Sequence, residues 1–267
     1  MNKSIGLFDS GVGGLSVLQE IVHLLPHEHC VYFADTARFP YGDKPAETIV
    51  RFARENGEFL LSQEIKLLVI PCYTASSYAY KTLQTELPIP VIAIPPFGLQ
   101  PLAQMTKTRS VAILGTASTI ASGSLQAELR VHDPHLQIHP IACPLFAPLV
   151  EKGLVNHPTL RKIVQDTLSQ LQGTNIDAAL LACTHYPFLS ATIQEVLGPH
   201  VQLISPTHLC AKYIGTFLEK NEMLNLSQKP ATYRFFVSAH PKRFQRFVRS
   251  FLTMTDCKIK LAQNKTL

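Results

Sequence analysis

Short apolar runs alternate with longer amphipathic stretches along this chain. Runs rich in Val, Ile, Leu and Ala at residues 4–8, 30–34, 67–71, 91–94, 110–114, 137–141, 178–182 and 201–205 have the length of strands. The stretches at 14–25, 45–63, 75–85, 119–130, 158–172 and 188–197 carry apolar residues at helical spacing. Strands that alternate with helices need crossover connections, so the sheets are expected to be mainly parallel and covered by helices. The predicted class is α/β.

The pattern also repeats. "SIGLFDSG" from Ser4 resembles "SVAILGTA" from Ser110, 106 residues later. "LLVIPCYT", with Cys72, resembles "AALLACTH", with Cys183, 111 residues later. In each half an opening strand ends beside a hydroxyl residue, and a later strand ends in Cys with Thr close behind. The expectation is two similar, doubly wound α/β domains. The Pro-rich "IPPFGLQP" from Ile94 reads as an extended crossover between them rather than a helix, because Pro restricts its predecessor. In the tail, "HPKRFQRFVRSF" has Phe244, Phe247, Val248 and Phe251 at helical spacing beside Arg243, Arg246 and Arg249. It reads as a docking helix with a solvated basic face. A nucleic-acid or acidic-membrane surface is the alternative.

Composition narrows the picture. The 267 residues suffice for two small domains with real cores. No apolar run is long enough for a transmembrane helix, and "MNKSIGLFDSG" lacks the features of a signal peptide, so a cytoplasmic protein is expected. Cys30, Cys72, Cys143, Cys183, Cys210 and Cys257 form no C-x-x-C pair, which argues against a disulfide scaffold or a structural zinc site. The net charge of +5 is uneven: residues 211–267 hold eleven Lys or Arg against three Asp or Glu. The body is mildly acidic and only the tail is basic.

Ligands of doubly wound sheets bind beyond the carboxyl ends of the strands. Asp9, Ser10, Asp35, Thr36, Cys72, Thr74, Thr116, Cys183, Thr184 and His185 all fall there. Two like halves that face each other would bring Cys72 and Cys183 to one cleft. Opposed thiols suit inversion of a carbon that carries an acidic proton: one thiolate takes the proton and the other thiol returns one on the far face. A helix N-terminus lowers a thiol pKa from ~8.5 toward ~7, close to the range such work needs. Asp9 would tune one thiol, and Glu151 or His185 the other. The Gly-rich "DSGVGGLS" fits neither nucleotide fingerprint, and reads equally as a tight strand-to-helix turn or as an anion site. His23, His27, His29, His132 and His135 have no metal spacing. Cys143 sits among apolar residues and reads as packed, and Lys44 lacks the setting of a Schiff-base lysine.

"GLFDSGVGGLSVL", "DTARFPYG", "TAS" after Cys72, "ACPLFAPLVEKG" and "CTHYPFL" together resemble the glutamate racemases of the aspartate/glutamate racemase superfamily, in order from Ile5 to about Ile204. The resemblance implies two α/β domains with the active site in the cleft between them. It implies boundaries of 1–95 plus 210–267 for the first and 96–209 for the second, the tail returning to pack on the first. It implies a cofactor-independent isomerase that interconverts L- and D-glutamate for peptidoglycan synthesis, with no metal and no nucleic-acid partner; family members are commonly dimers, so a homodimer is among the expectations. By motif, Cys72 and Cys183 match the catalytic bases, with Asp9, His185 and Glu151 assisting. Ser10, Pro40, Tyr41, Gly42, Tyr73, Thr74, Thr116, Thr119 and Thr184 match positions that hold the substrate.

Departures from the family pattern cluster near these residues. Tyr73 stands where the family has Asn, Ala34 where it has Gly, Pro96 where it has Glu, and Ser205-Pro206-Thr207 where it has "DSA". Two further readings therefore stay open: a racemase for another acidic amino acid, and a binding protein on a racemase fold.

Overall fold

The computed structural model describes residues 3–227, 229–252 and 258–262; Cys257 lies outside them. The chain begins with β1 (Ser4–Asp9), α1 (Leu15–Leu24), β2 (Cys30–Ala34), α2 (Ala46–Leu61), β3 (Ile65–Ile70), α3 (Tyr73–Glu86) and β4 (Val91–Ala93). It continues with α4 (Pro96–Met105), β5 (Ser110–Gly115), α5 (Ala117–Ala121), α6 (Ser124–His132), β6 (Gln137–Ala142), α7 (Phe146–Glu151), α8 (Pro158–Leu168), β7 (Ala178–Ala182), α9 (Ser190–Leu197) and β8 (Gln202–Ile204). Then come α10 (Thr207–Lys220), β9 (Tyr233–Val237), α11 (Pro241–Phe251) and β10 (Ile259–Leu261).

These strands form two sheets, and every pairing is parallel. One runs β10-β9-β2-β1-β3-β4 and the other β6-β5-β7-β8. The shared core order, second-first-third-fourth, is the structural form of the sequence repeat. β1, β2, β5 and β7 are buried along their whole length, because helices cover both faces, and that is why they read as unbroken apolar runs. Each fully buried Leu, Ile or Val there contributes about 1.5–3 kcal/mol. β6 lies at a sheet edge, where Pro140 withholds a backbone donor at little cost.

The Pro-rich crossover corrects an expectation: it is helix α4. Pro95 and Pro96 sit at the start, where an absent N–H costs nothing and a fixed φ is already helical. The segment expected as one helix over 119–130 is two, broken where Gly123 turns left-handed at φ +66. Four regions without an expected element, at α7, α10, β9 and β10, are regular. β9 and β10 extend the first sheet beyond the repeat. From β9 the chain enters α11, whose Phe244 and Val248 are buried. The tail helix docks on the body, as read from its spacing. Among the described residues, no helix is long and apolar enough to cross a membrane.

Candidate active site

The two repeated strand ends deliver the two thiols. β3 runs into Pro71 and Cys72, which is the N-cap residue of α3. β7 runs directly into Cys183, ahead of a 3-10 turn at Tyr186–Leu189. Both side chains border one small cavity, and each is nearly buried, at 5% and 6% exposure. The cavity is also bordered by Ser10, Phe39, Pro40, Tyr41, Gly42, Tyr73, Thr74, Thr116, Ala147, Thr184 and His185.

A chain of contacts stands behind Cys183. Its sulfur is 3.7 Å from Nδ1 of His185. Nε2 of His185 is 3.0 Å from Oε1 of Glu151. That same oxygen accepts the Val12 N–H at 2.7 Å, and Oε2 accepts from Arg243 at 3.2 Å. Burial disfavours the imidazolium, but the contacts with Cys183 and Glu151 outweigh it and hold His185 charged well above its ordinary range. Burial likewise works against the Glu151 carboxylate, yet His185, the Val12 N–H and Arg243 bring its pKa below the usual value.

The surroundings of Cys72 differ. The backbone at Ala75 and Ser10 favours its thiolate, and the neighbouring Asp9 opposes it. Asp9 is fully buried; its Oδ1 accepts from the Gly11 N–H at 3.0 Å and its Oδ2 from Thr184 Oγ1 at 3.0 Å. Burial raises the Asp9 pKa, against the opposing charge of His185 and these hydrogen bonds. The helix start was expected to lower the Cys72 pKa. Burial is the larger effect, and together with Asp9 it pushes the thiol up.

The Gly-rich loop resolves the choice between turn and anion site. It is a tight turn whose N–H groups hold the protein's own carboxyl groups: Asp9 on the Gly11 N–H and Glu151 on the Val12 N–H. The glycines allow that approach. A Cβ on Gly11 would lie 2.0 Å from Oε1 of Glu151, and one on Gly13 would lie 2.4 Å from Thr184 Oγ1 and 2.5 Å from His185 Nδ1.

Hydroxyls line the opposite wall. Thr74, Thr116 and Thr119 form a triangle with oxygens 2.9, 2.9 and 3.1 Å apart. Beside it the roof is latched across the two sheets: Ser118 donates its N–H to Gly42 O at 3.0 Å and its hydroxyl to Lys44 O at 3.2 Å. Tyr78 donates to Ser118 O at 2.8 Å. The cavity measures about 20 Å3, space on the scale of a single water.

The candidate residues thus come together, in two ranks. Ser10, Pro40, Tyr41, Gly42, Cys72, Tyr73, Thr74, Thr116, Cys183, Thr184 and His185 border the cavity. Asp9, Thr119 and Glu151 stand behind, bonded to that lining. Tyr41 turns its hydroxyl away to Asp35 and to Asn56, the latter at 2.9 Å. Asp35 and Thr36 do not border the cavity. Asp35 instead gathers Arg38 at 2.6 Å and Ser238 at 2.9 Å, which anchors the loop that carries Pro40. Tyr73 is buried, and its hydroxyl has no hydrogen-bond partner among the described residues. Phe39, Ala147 and Arg243 were not foreseen. Phe39 and Ala147 lay inside recognised motifs, whereas only tertiary structure brings Arg243 to Glu151, 92 residues away.

The family model for Asp/Glu/Hydantoin racemases matches residues 5–214. The chain belongs to this family of α/β racemases. The glutamate racemase of Syntrophus aciditrophicus is 40% identical, with 94% of this chain and 96% of that protein covered. The crystal structure of a glutamate racemase from Bacillus anthracis superposes with a TM-score of 0.90 at 33% identity, covering 97% of this chain and 96% of that one. A glutamate racemase from Francisella tularensis, solved in complex with D-glutamate, gives 0.91 at 32% identity, covering 100% and 99%.

Proposed function

We propose that this chain is a glutamate racemase that passes the α-proton between Cys72 and Cys183, without a cofactor. The observation that carries the mechanism is the pair of thiols on equivalent strand ends of two like sheets, bordering one cavity. The thiolate on one face takes the α-proton, and the bond's electron pair passes into the substrate carboxylate as an enolate. The thiol on the other face then gives its proton to the same carbon. The products are the mirror-image amino acid and a thiol pair with exchanged protonation. His185, steadied by Glu151, serves Cys183, and Asp9 serves Cys72. Hydroxyls and backbone donors from Ser10, Thr74, Thr116, Thr119 and Thr184 hold the amino and carboxylate groups, with Pro40, Tyr41, Gly42 and Tyr73 closing around them.

We divide the chain at 1–95 plus 210–267 and 96–209. The packing of α10 on α1 and the return of β9 and β10 to the first sheet support that division. The product serves peptidoglycan synthesis, which places the protein in the cytoplasm. Incubation with L-glutamate in deuterated water, followed by NMR and polarimetry, tests the reading. Loss of the α-proton signal together with appearance of D-glutamate is expected. Silence with glutamate alongside turnover of aspartate would move the substrate; silence with both would overturn the racemase reading.

A further inference from the structure

Arg243 lies outside the motifs and outside the cavity. It sits in the first turns of α11, which follows β9 of the six-stranded sheet. Its partner, Glu151, is the last residue of α7, which follows β6 of the four-stranded sheet. The guanidinium therefore reaches from one unit to the other. Nε donates to the Glu151 carbonyl at 2.8 Å, and Nη2 donates to the same carbonyl and, at 3.2 Å, to Oε2.

These contacts do two things. The Glu151 carbonyl is an exposed end of the α7 hydrogen-bond ladder, and a cation there complements the helix dipole. The side-chain carboxylate is buried, and Oε1 is already committed to Val12 and His185. Arg243 is the donor that the described residues supply to Oε2. It fixes the rotamer of Glu151 and, through it, the imidazole that faces Cys183. The same helix steadies the glycine loop from below. Phe244 stacks on Tyr32 with ring centroids 5.7 Å apart, and the Tyr32 hydroxyl donates to Gly11 O at 2.9 Å.

We infer that Arg243 is a positioning residue for the Cys183 half of the reaction, so that the basic tail helix completes the active site from across the cleft. The inference rests on the two-thiol reading above. A charge-assisted bond to a buried carboxylate matters more than an exposed ion pair, because its loss leaves Oε2 without a donor.

The test compares wild type with Arg243→Gln, Arg243→Lys and Arg246→Gln, the last being an exposed position on the same helix. Arg243→Gln is expected to lower kcat about tenfold or more, with a smaller change in KM. Because the enantiomers are equal in free energy, kcat/KM falls equally in both directions. The α-deuterium isotope effect should nevertheless grow for the one enantiomer whose hydrogen passes to Cys183. Arg243→Lys should recover part of the rate and Arg246→Gln should change nothing. A merely structural staple would lower the melting temperature and leave the isotope effects alike for both enantiomers; that result, or unchanged kinetics in Arg243→Gln with an active wild type, overturns this inference alone. An inactive wild type overturns the racemase reading and this inference with it. If Arg243→Gln does not fold, unchanged isotope effects in Arg243→Lys serve as the overturning result.

Discussion

The two halves of the molecule place their thiols by the same device and then treat them differently. In both, a buried parallel strand third in chain order ends at a cysteine beside the shared cavity. After Cys72 comes Tyr-Thr and a long helix; after Cys183 comes Thr-His and a 3-10 turn. With the cysteines in register, His185 occupies the place of Thr74. The first half has Asp9 at the end of β1, and the second has Gly115 at the end of β5. On the proposed mechanism, duplicated topology supplies the geometry of a two-faced reaction, while divergent residues supply an imidazole beside one thiol and a carboxyl group beside the other. Symmetry sets where the thiols stand, and on that mechanism asymmetry sets how each would gain and lose its proton.

The comparison breaks most completely if one thiol is dispensable. Cys72→Ala and Cys183→Ala should each cost at least about a hundredfold in racemisation with circular dichroism unchanged; near-wild-type turnover in either would end the two-base scheme. Next in size is the glycine loop, where it serves the Cys183 face. Gly13→Ala drives a methyl into Thr184 and His185, and should cost about 1–3 kcal/mol in denaturant stability along with activity. A tolerated alanine would show that the loop has slack.

The charged histidine allows a pH test of the asymmetry. His185 is held well above its ordinary range of about 6.5. The stability it contributes is fully present below that value and is lost as the pH rises through the folded pKa. The stability gap between wild type and His185→Gln should thus be larger at about pH 6 than at about pH 9; a gap that does not narrow would mean the imidazole is neutral. The smallest effect belongs to Tyr73. Its hydroxyl is buried without a partner among the described residues, so Tyr73→Phe should leave stability unchanged or slightly raised. A clear loss would reveal a bond made when the cleft opens.

Much of this was legible in the chain because the signals are local. β1, β2, β5 and β7 are covered on both faces, and a strand with no polar face announces itself. The catalytic candidates were legible because strand ends of a doubly wound sheet are a short list, and a repeat within the chain shortens it further. Other features were hidden for physical reasons. The proline run at α4 resembled a linker, since proline disfavours helix interiors; Pro95 and Pro96 suit the first turn, and Pro101 stands inside the helix all the same. β9 reads "YRFFV", with a charge that stays at the surface end while only Phe235, Phe236 and Val237 are buried, so it lacks an unbroken apolar run. The threonine triangle, the latch at Ser118 and the approach of Arg243 to Glu151 are tertiary contacts, and no spacing encodes them.

The small chamber between the thiols bears on what the enzyme does after each turnover. On the proposed mechanism, one catalytic event leaves the protonated and deprotonated thiols interchanged, so the free protein exists in two forms, each ready for only one enantiomer. Conversion between them needs a proton to travel to or from bulk water, and a space with room for about one water offers a narrow path. On that mechanism the protein would carry a memory of the product it last released until such a proton arrives. At high substrate, the pace of net conversion would report the resetting of that memory rather than the breaking of the carbon–hydrogen bond.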